Sequence, residues 1–229
     1  MSPRRALAIG RLLGREAWAI AVQGRLIARA RGRAEPLPDA ARTVLFVHGF
    51  LAAGPVFDPM RAHVERALGV GTADFTYGSS REFESIAADL MRRIELLAGR
   101  TERVSIVGHS LGGLLSRWCL QELGAAPLVD RVVMLATPHA GTRSARLAFG
   151  PLGDVLRPGS QVVHRLAARR HAAANVRHVA IVAGADMMIT PPESAAAIEG
   201  AEVFWFAELG HNELLFHDGV REVVSRALR

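Results

Sequence analysis

The sequence predicts an α/β protein: a mostly parallel sheet of about six strands, helices on both faces, and a short insert late in the chain. Three observations carry that expectation. Short uncharged apolar runs such as Thr43–Val47 alternate with longer helical patterns, and strands that are continuously apolar are those covered on both faces. Gly108-x-Ser110-x-Gly112 falls between one such run and a helix. His48, Ser110, His139, Asp186 and His211 all lie just past expected strand ends, the edge at which open parallel sheets bind ligands.

In chain order, Thr43–Val47 is a buried strand running into the turn His48-Gly49-Phe50. Val56–Leu68 has helical spacing, Thr72–Thr76 is a short strand, and Ser80–Ala98 reads as a helix capped by its serine. Val104–Val107 is the strand before the serine motif, and the helix after it continues to about Leu123. Val132–Ala136 leads into Thr137-Pro138-His139-Ala140-Gly141-Thr142. Residues 143–174 break the rhythm with a helical piece, a Gly/Pro-punctuated turn at 150–159 and an arginine-rich helix. Val176–Ala183 and Glu202–Ala207 are the last strands, and Asn212–Leu228 reads as a closing helix.

A chain of 229 residues holds one well-buried core and is short for two domains. The expected organisation is an extension over 1–42 and one domain over 43–229, with 143–174 inserted in it as a cap or lid. The formal charge of +6 comes from arginine, because the chain has no lysine. Clusters occur at Arg4/Arg5, at Arg25, Arg29, Arg31 and Arg33, and at Arg165, Arg169, Arg170 and His171. The last has helical spacing and suits a solvated face or a patch facing an anionic surface. No zinc-finger spacing or aromatic-interleaved stretch accompanies them, which argues against nucleic acid as a partner. The lone Cys119 excludes an intramolecular disulfide and most cysteine-based metal sites.

Residues 1–42 hold apolar surface, including Leu7, Ile9, Leu12, Leu13, Trp18 and Ile20, interrupted by Arg11, Arg15 and Glu16. The longest clean run, Ala17–Val22, is too short to span a bilayer, and Arg11 spoils a signal peptide. The expected role is an extra helix or hairpin covering an edge of the core; the alternative is a basic amphipathic segment resting on an anionic membrane surface. Without a clear signal peptide or span, a cytoplasmic or peripheral-membrane location is the expectation, although a disulfide-free protein can also be exported.

The serine motif has a physical logic. Ser110 must turn sharply from strand into helix, the flanking glycines allow close backbone packing, and the hydroxyl ends above the sheet. The positive end of the following helix favours negative charge there. A serine nucleophile needs a base, and His211 follows the last strand in Leu209-Gly210-His211-Asn212-Glu213. His109 sits on the turn itself and its ring would point away; His217 falls inside the expected closing helix. The acid that orients the imidazole is expected at Asp186, just beyond Val176–Ala183. Asp154 reads as a turn residue, Asp130 lies at the wrong end of a strand, and Glu208 and Glu213 are poorly placed to face the ring. Oxyanion donors are expected at the Leu111 N–H and at Phe50, with Leu51 the alternative; His48 and Gly49 would shape that loop. No partners at metal-ligand spacing accompany His48, no Gly-Lys-Ser/Thr completes a phosphate loop, and no cofactor is implied.

Together, His48-Gly49-Phe50, Gly108–Gly113, Thr137–Thr142, Asp186 and Gly210-His211 resemble the bacterial lipases and esterases of the α/β-hydrolase superfamily, over roughly residues 43–229. The stretch Thr137–Thr142 resembles the triacylglycerol lipases in particular. The resemblance implies hydrolysis of a small-molecule or lipid ester through an acyl-enzyme on Ser110, with His211 and Asp186 completing the triad. It also implies that 143–174 lines an acyl pocket, with Leu147, Phe149, Leu152, Val155, Leu156, Val162, Val163 and Leu166 on its apolar face. The same triad serves acyltransferases, thioesterases and amidases, and a non-catalytic hydrolase-like binding protein would keep the fold. The first strands of the full superfamily pattern would have to come from residues 16–30. The calcium site of some resembling lipases has no clear place in this sequence.

Overall fold

The computed structural model describes residues 3–30, 37–148 and 150–229, with side chains from Ile9 onward. Arg31, Arg33 and Phe149 lie outside the described residues, as do the side chains of Arg4, Arg5 and Leu7. Six strands form one sheet: β1 (Arg42–Val47), β2 (Gly71–Phe75), β3 (Arg103–His109), β4 (Val129–Leu135), β5 (Arg177–Ala183) and β6 (Glu202–Phe206). They are all parallel, in the order β2-β1-β3-β4-β5-β6. The chain moves outward from β1 to β2, then crosses back to place β3 on the other side of β1. The carboxyl ends of β1 and β3 therefore flank the point where the strand order reverses, which opens a crevice.

Strand pleating sends alternate residues of β1 to opposite faces. Leu45 and Val47 join one core with Ile106, Val132 and Met134, and Val44 and Phe46 join a second with Val107, Val133 and Ile181. The first face is covered by α3 (Phe83–Ala98) and α4 (Leu111–Glu122), through Ile86, Leu90, Leu114 and Trp118. The second is covered by α2 (Asp58–Leu68) and α7 (Asp218–Ala227), through Met60, Val64, Val220 and Val224. This is the α/β-hydrolase architecture.

Three expectations need correction. Residues 16–30 supply no strand, because Pro3–Arg29 is a single helix, α1, of 27 residues. Its Ala19 is fully buried, and it packs against the 3-10 turns at Gly54–Phe57 and Glu213–Leu215. The third helix starts at Phe83, not at a Ser80 cap, because Arg81 N–H donates to Gly78 O and closes a turn over those residues. The closing helix is broken. Leu214, Leu215 and Phe216 are all buried, and three successive residues cannot share one helical face, so the chain makes a 3-10 turn and restarts as α7 after the extended His217.

In the insert, Arg143–Leu147 is a 3-10 turn, followed by α5 (Pro151–Val155) and α6 (Gln161–Ala168). Leu152, Leu156, Val162 and Leu166 pack into the first core. The arginine cluster here is ion-paired: Arg165 and Arg169 with Glu122, and Arg170 with Glu199 at 2.5 Å. No helix among the described residues is long and apolar enough to cross a membrane.

Candidate active site

Ser110 sits between β3 and α4 at φ 54°, ψ −120°, a left-handed backbone that a serine adopts only under strain. The surroundings hold it there. Its N–H donates to Leu135 O at 2.8 Å. A Cβ on Gly108 would lie 2.8 Å from Gly113 Cα, and one on Gly112 would collide with the carbonyl oxygens of Val47 and His48. Only glycine lets the helix start so close to β1. Leu111 is the first residue of α4, so its N–H has no partner within the helix.

The loop after β1 is braced from within. Tyr77 N–H donates to His48 Nε2 at 3.1 Å, so His48 Nδ1 carries the proton and donates to Gly49 O at 2.8 Å. The Tyr77 hydroxyl donates to His48 O at 2.8 Å, and the two rings stack with centroids 4.1 Å apart. Burial pushes the His48 imidazole down to about 4, so it is a neutral strut. Leu51 N–H donates to Ser79 Oγ at 3.0 Å, which engages the alternative oxyanion donor, and Phe50 lines the cavity beside it.

Asp186 follows β5. Its Oδ1 accepts the Met188 and Ile189 N–H groups at 2.7 and 2.8 Å, and its Oδ2 accepts His211 Nδ1–H at 2.7 Å. Three hydrogen bonds, two from backbone and one from the imidazole, thus hold the carboxylate, which fixes the ring and its tautomer. Both side chains are buried. Burial works against the imidazolium, but the Asp186 charge and hydrogen bond, joined by the charge of Glu16, outweigh it and raise the His211 pKa. His109 lies against this ring, centroids 4.6 Å apart, with its Nε2–H directed at His211 O. Its own pKa is driven well down by burial, with His211 adding to the effect.

The rejected candidates sit elsewhere. His217 and Glu208 are exposed, Asp154 pairs with Arg157 on the surface, and Asp130 accepts from Ser105 at the start of β4. Glu213 turns away from the ring: it accepts Gly210 N–H and pairs with Arg15. The Thr137–Thr142 stretch braces the loop after β5. Thr142 Oγ donates to Met188 O and accepts Thr190 N–H, Arg143 N–H donates to Thr190 O, and buried Arg117 of α4 donates to His139 Nδ1.

Ser110 and His211 border one cavity of about 590 Å³ whose walls include Phe50, Leu156, Met188 and Ile189. Around it stand exposed Ile20, Leu51, Leu147, Met187 and Met188. A larger cleft of about 690 Å³, near Asp74, Asp89 and Arg93, contains neither serine nor histidine. No cluster of metal-binding side chains occurs among the described residues. An extra helix or hairpin was expected over residues 1–42, but not that α1 would reach the cavity, which its Ile20, Gln23, Gly24 and Ile27 line. Their helical spacing, with the charge of Glu16 one turn earlier, was the available signal.

Solved structures share this fold at low identity. The mature Bacillus licheniformis lipase BlEst2 is 20% identical with TM-score 0.59, covering 83% of this chain and 94% of that one. The Pyrobaculum calidifontis esterase is 14% identical with TM-score 0.58, covering 96% and 90%. A lipase-esterase related protein from Clostridium acetobutylicum is 15% identical with TM-score 0.58, covering 85% and 98%. At such identities the likeness concerns the fold alone. No curated protein matches the sequence. Residues 78–196, just over half of the chain, match the family described as PGAP1-like alpha/beta domain. The chain, with its serine turn and the Thr137–Thr142 brace inside the matched region, therefore belongs to the PGAP1-like alpha/beta domain family.

Proposed function

We propose that the protein is a serine-dependent carboxylic ester hydrolase acting on apolar acyl esters. The observation that carries this reading is the buried Asp186–His211 pair, 2.7 Å apart, bordering the same cavity as a serine held at a strained strand-to-helix turn. In the proposed reaction Ser110 Oγ attacks the ester carbonyl while His211 Nε2 takes its proton. Asp186 keeps Nδ1 protonated and stabilises the imidazolium. The oxyanion is received by the Leu111 N–H and, on the β1 loop, by that of Phe50. His211 returns the proton to the leaving alcohol, and water, deprotonated by the same histidine, releases the acid from Ser110.

The apolar rim of Ile20, Leu51, Leu147, Met187 and Met188 suits an acyl chain better than a polar substrate. The names of the lipase and esterase neighbours agree with this choice. The insert is proposed as a cap that serves two ends: α5 and α6 pack against α3 and α4, while Leu147, 87% exposed, stands at the cavity mouth.

The test is hydrolysis of p-nitrophenyl esters from acetate to palmitate by the wild type and Ser110→Ala. The wild type is expected to turn over with an optimum at medium or long chains, and the variant to lose about 10⁴-fold or more in kcat. Equal rates in the two proteins overturn the reading. Faster acyl transfer to an added alcohol, thiol or amine than to water would reassign the same site to transferase chemistry.

A further inference from the structure

One buried acid beside the site has no part in this chemistry. Glu16, on α1, is 7% exposed. Its Oε1 accepts both the Asn212 N–H at 2.7 Å and the Asn212 side-chain amide at 2.6 Å. We propose that Glu16 is a positioning residue for His211: α1 reaches across the fold to tether the histidine loop and sets a second carboxylate behind the imidazole. The inference rests on His211 being the general base.

The tether is extensive. Gln23, two turns along the same face of α1, donates to Asn212 Oδ1 at 2.7 Å. Arg15 donates to Glu208 O at 2.6 Å and pairs with Glu213 at 2.7 Å. The loop around His211 is thus held on both sides by one helix. Gly210 belongs to the same fit, since a Cβ there would collide with Glu16 Oε2.

A tether alone does not explain a carboxylate. A glutamine could accept the same two hydrogen bonds without the penalty of burying a charge. Yet among the described residues Glu16 Oε2 is buried with no hydrogen-bond partner, and the adjacent Arg15 is engaged by Glu213 instead. A buried negative charge with no cation of its own is stabilised when a neighbour becomes cationic, and His211 does so each time it accepts the serine proton. The groups around that ring are few. Asp186 bonds Nδ1 directly, His109 is neutral, and the Glu213 carboxylate is occupied by Gly210 N–H and Arg15. Among the described residues Glu16 is the remaining charge, and it acts in the direction that favours the imidazolium.

The experiment is an NMR titration of the His211 ring in wild type and Glu16→Gln, with the signal assigned by its loss in His211→Gln. The pH profile of kcat/KM is measured alongside. In the wild type, His211 is expected to titrate above the ordinary imidazole value of 6.5. Glu16→Gln is expected to lower that pKa by roughly half a unit to one unit and to carry the acid limb of kcat/KM with it. A folded Glu16→Gln protein whose His211 titrates as in the wild type overturns the proposal. Asn212→Ala supplies a second test if that variant does not fold: it keeps the charge but cuts a tether. It is expected to lower kcat about tenfold with the His211 pKa unmoved, and an unchanged kcat overturns the tether. The titration needs no turnover. A Glu16-dependent His211 pKa in a protein without Ser110-dependent activity would remove the esterase reading and leave the coupling standing.

Discussion

The two halves of the candidate site are built in opposite ways. On the serine side, a short stretch of chain does nearly everything: Gly108 and Gly112 let β3, β1 and α4 meet at backbone contact, Gly113 makes room for the Thr137 side chain, and His48 and Tyr77 lock the neighbouring loop. On the histidine side, residues 207–212 have no regular secondary structure. Their geometry is imposed by Asp186 and by side chains of α1, with Glu16 and Asn212 lying 196 positions apart in sequence. The first half is held by sterics, the second by polar tethers. The difference teaches that a locally conspicuous motif can depend, for its function, on a partner loop that carries almost no local signature.

That contrast is open to attack from both sides. The largest effect is expected from Gly112→Ala, which drives a methyl into the Val47 and His48 carbonyls. A loss of about 3 kcal/mol in stability and of nearly all activity is expected, read by thermal melting and ester hydrolysis. A stable, active Gly112→Ala protein would show that backbone contact is not what holds the serine turn.

Acid should come next, and it acts on the serine side. The His48 pKa of about 4 in the folded chain, against 6.5 unfolded, means that the unfolded state binds the extra proton between those values. Stability is therefore present above pH 6.5 and lost as pH falls toward 4, by up to roughly 3 kcal/mol from this residue. His211 has the opposite sign: its raised folded pKa gives stability that is full below 6.5 and lost as pH rises through that folded value. Unfolding free energies measured from pH 7.5 to 4.5 check the balance. A flat profile in wild type, or an equal acid loss in His48→Gln, would remove His48 as the source.

The smallest effect is expected from Gln23→Ala, which deletes one tether of Asn212 from a half-buried position. About 1 kcal/mol of stability and a few-fold in kcat are expected to go, with the serine turn untouched. A loss as large as that of Gly112→Ala would mean that the histidine loop carries more of the fold than the comparison allows.

The strands, though not their order in the sheet, were within reach of the sequence because uncharged runs ending in Gly, Ser or His announce both the strands and the edge where they stop. The serine turn was legible for the same reason: glycine spacing between a strand and a helix has few structural solutions. The ends of helices were less so. Ser80 looked like a cap until Arg81 closed a turn back to Gly78. The closing helix looked continuous until Leu214–Phe216 went inward together. Helical periodicity is blind to a local burial demand of that kind. The loop after β1 fell between the two cases, since the Leu51–Ser79 hydrogen bond joins segments 28 positions apart.

The amino-acid sequence by itself determined the parallel α/β layering and the left-handed serine turn, because apolar runs and glycine spacing act over a few residues and need no distant partner. Which faces α1 would join, and that Glu16 and Gln23 would close over Asn212 beside His211, was decided only by the tertiary structure. An amphipathic helix announces that it has something to bury. The surface it meets is set by where the rest of the chain leaves a groove of matching shape and unpaired hydrogen-bonding groups.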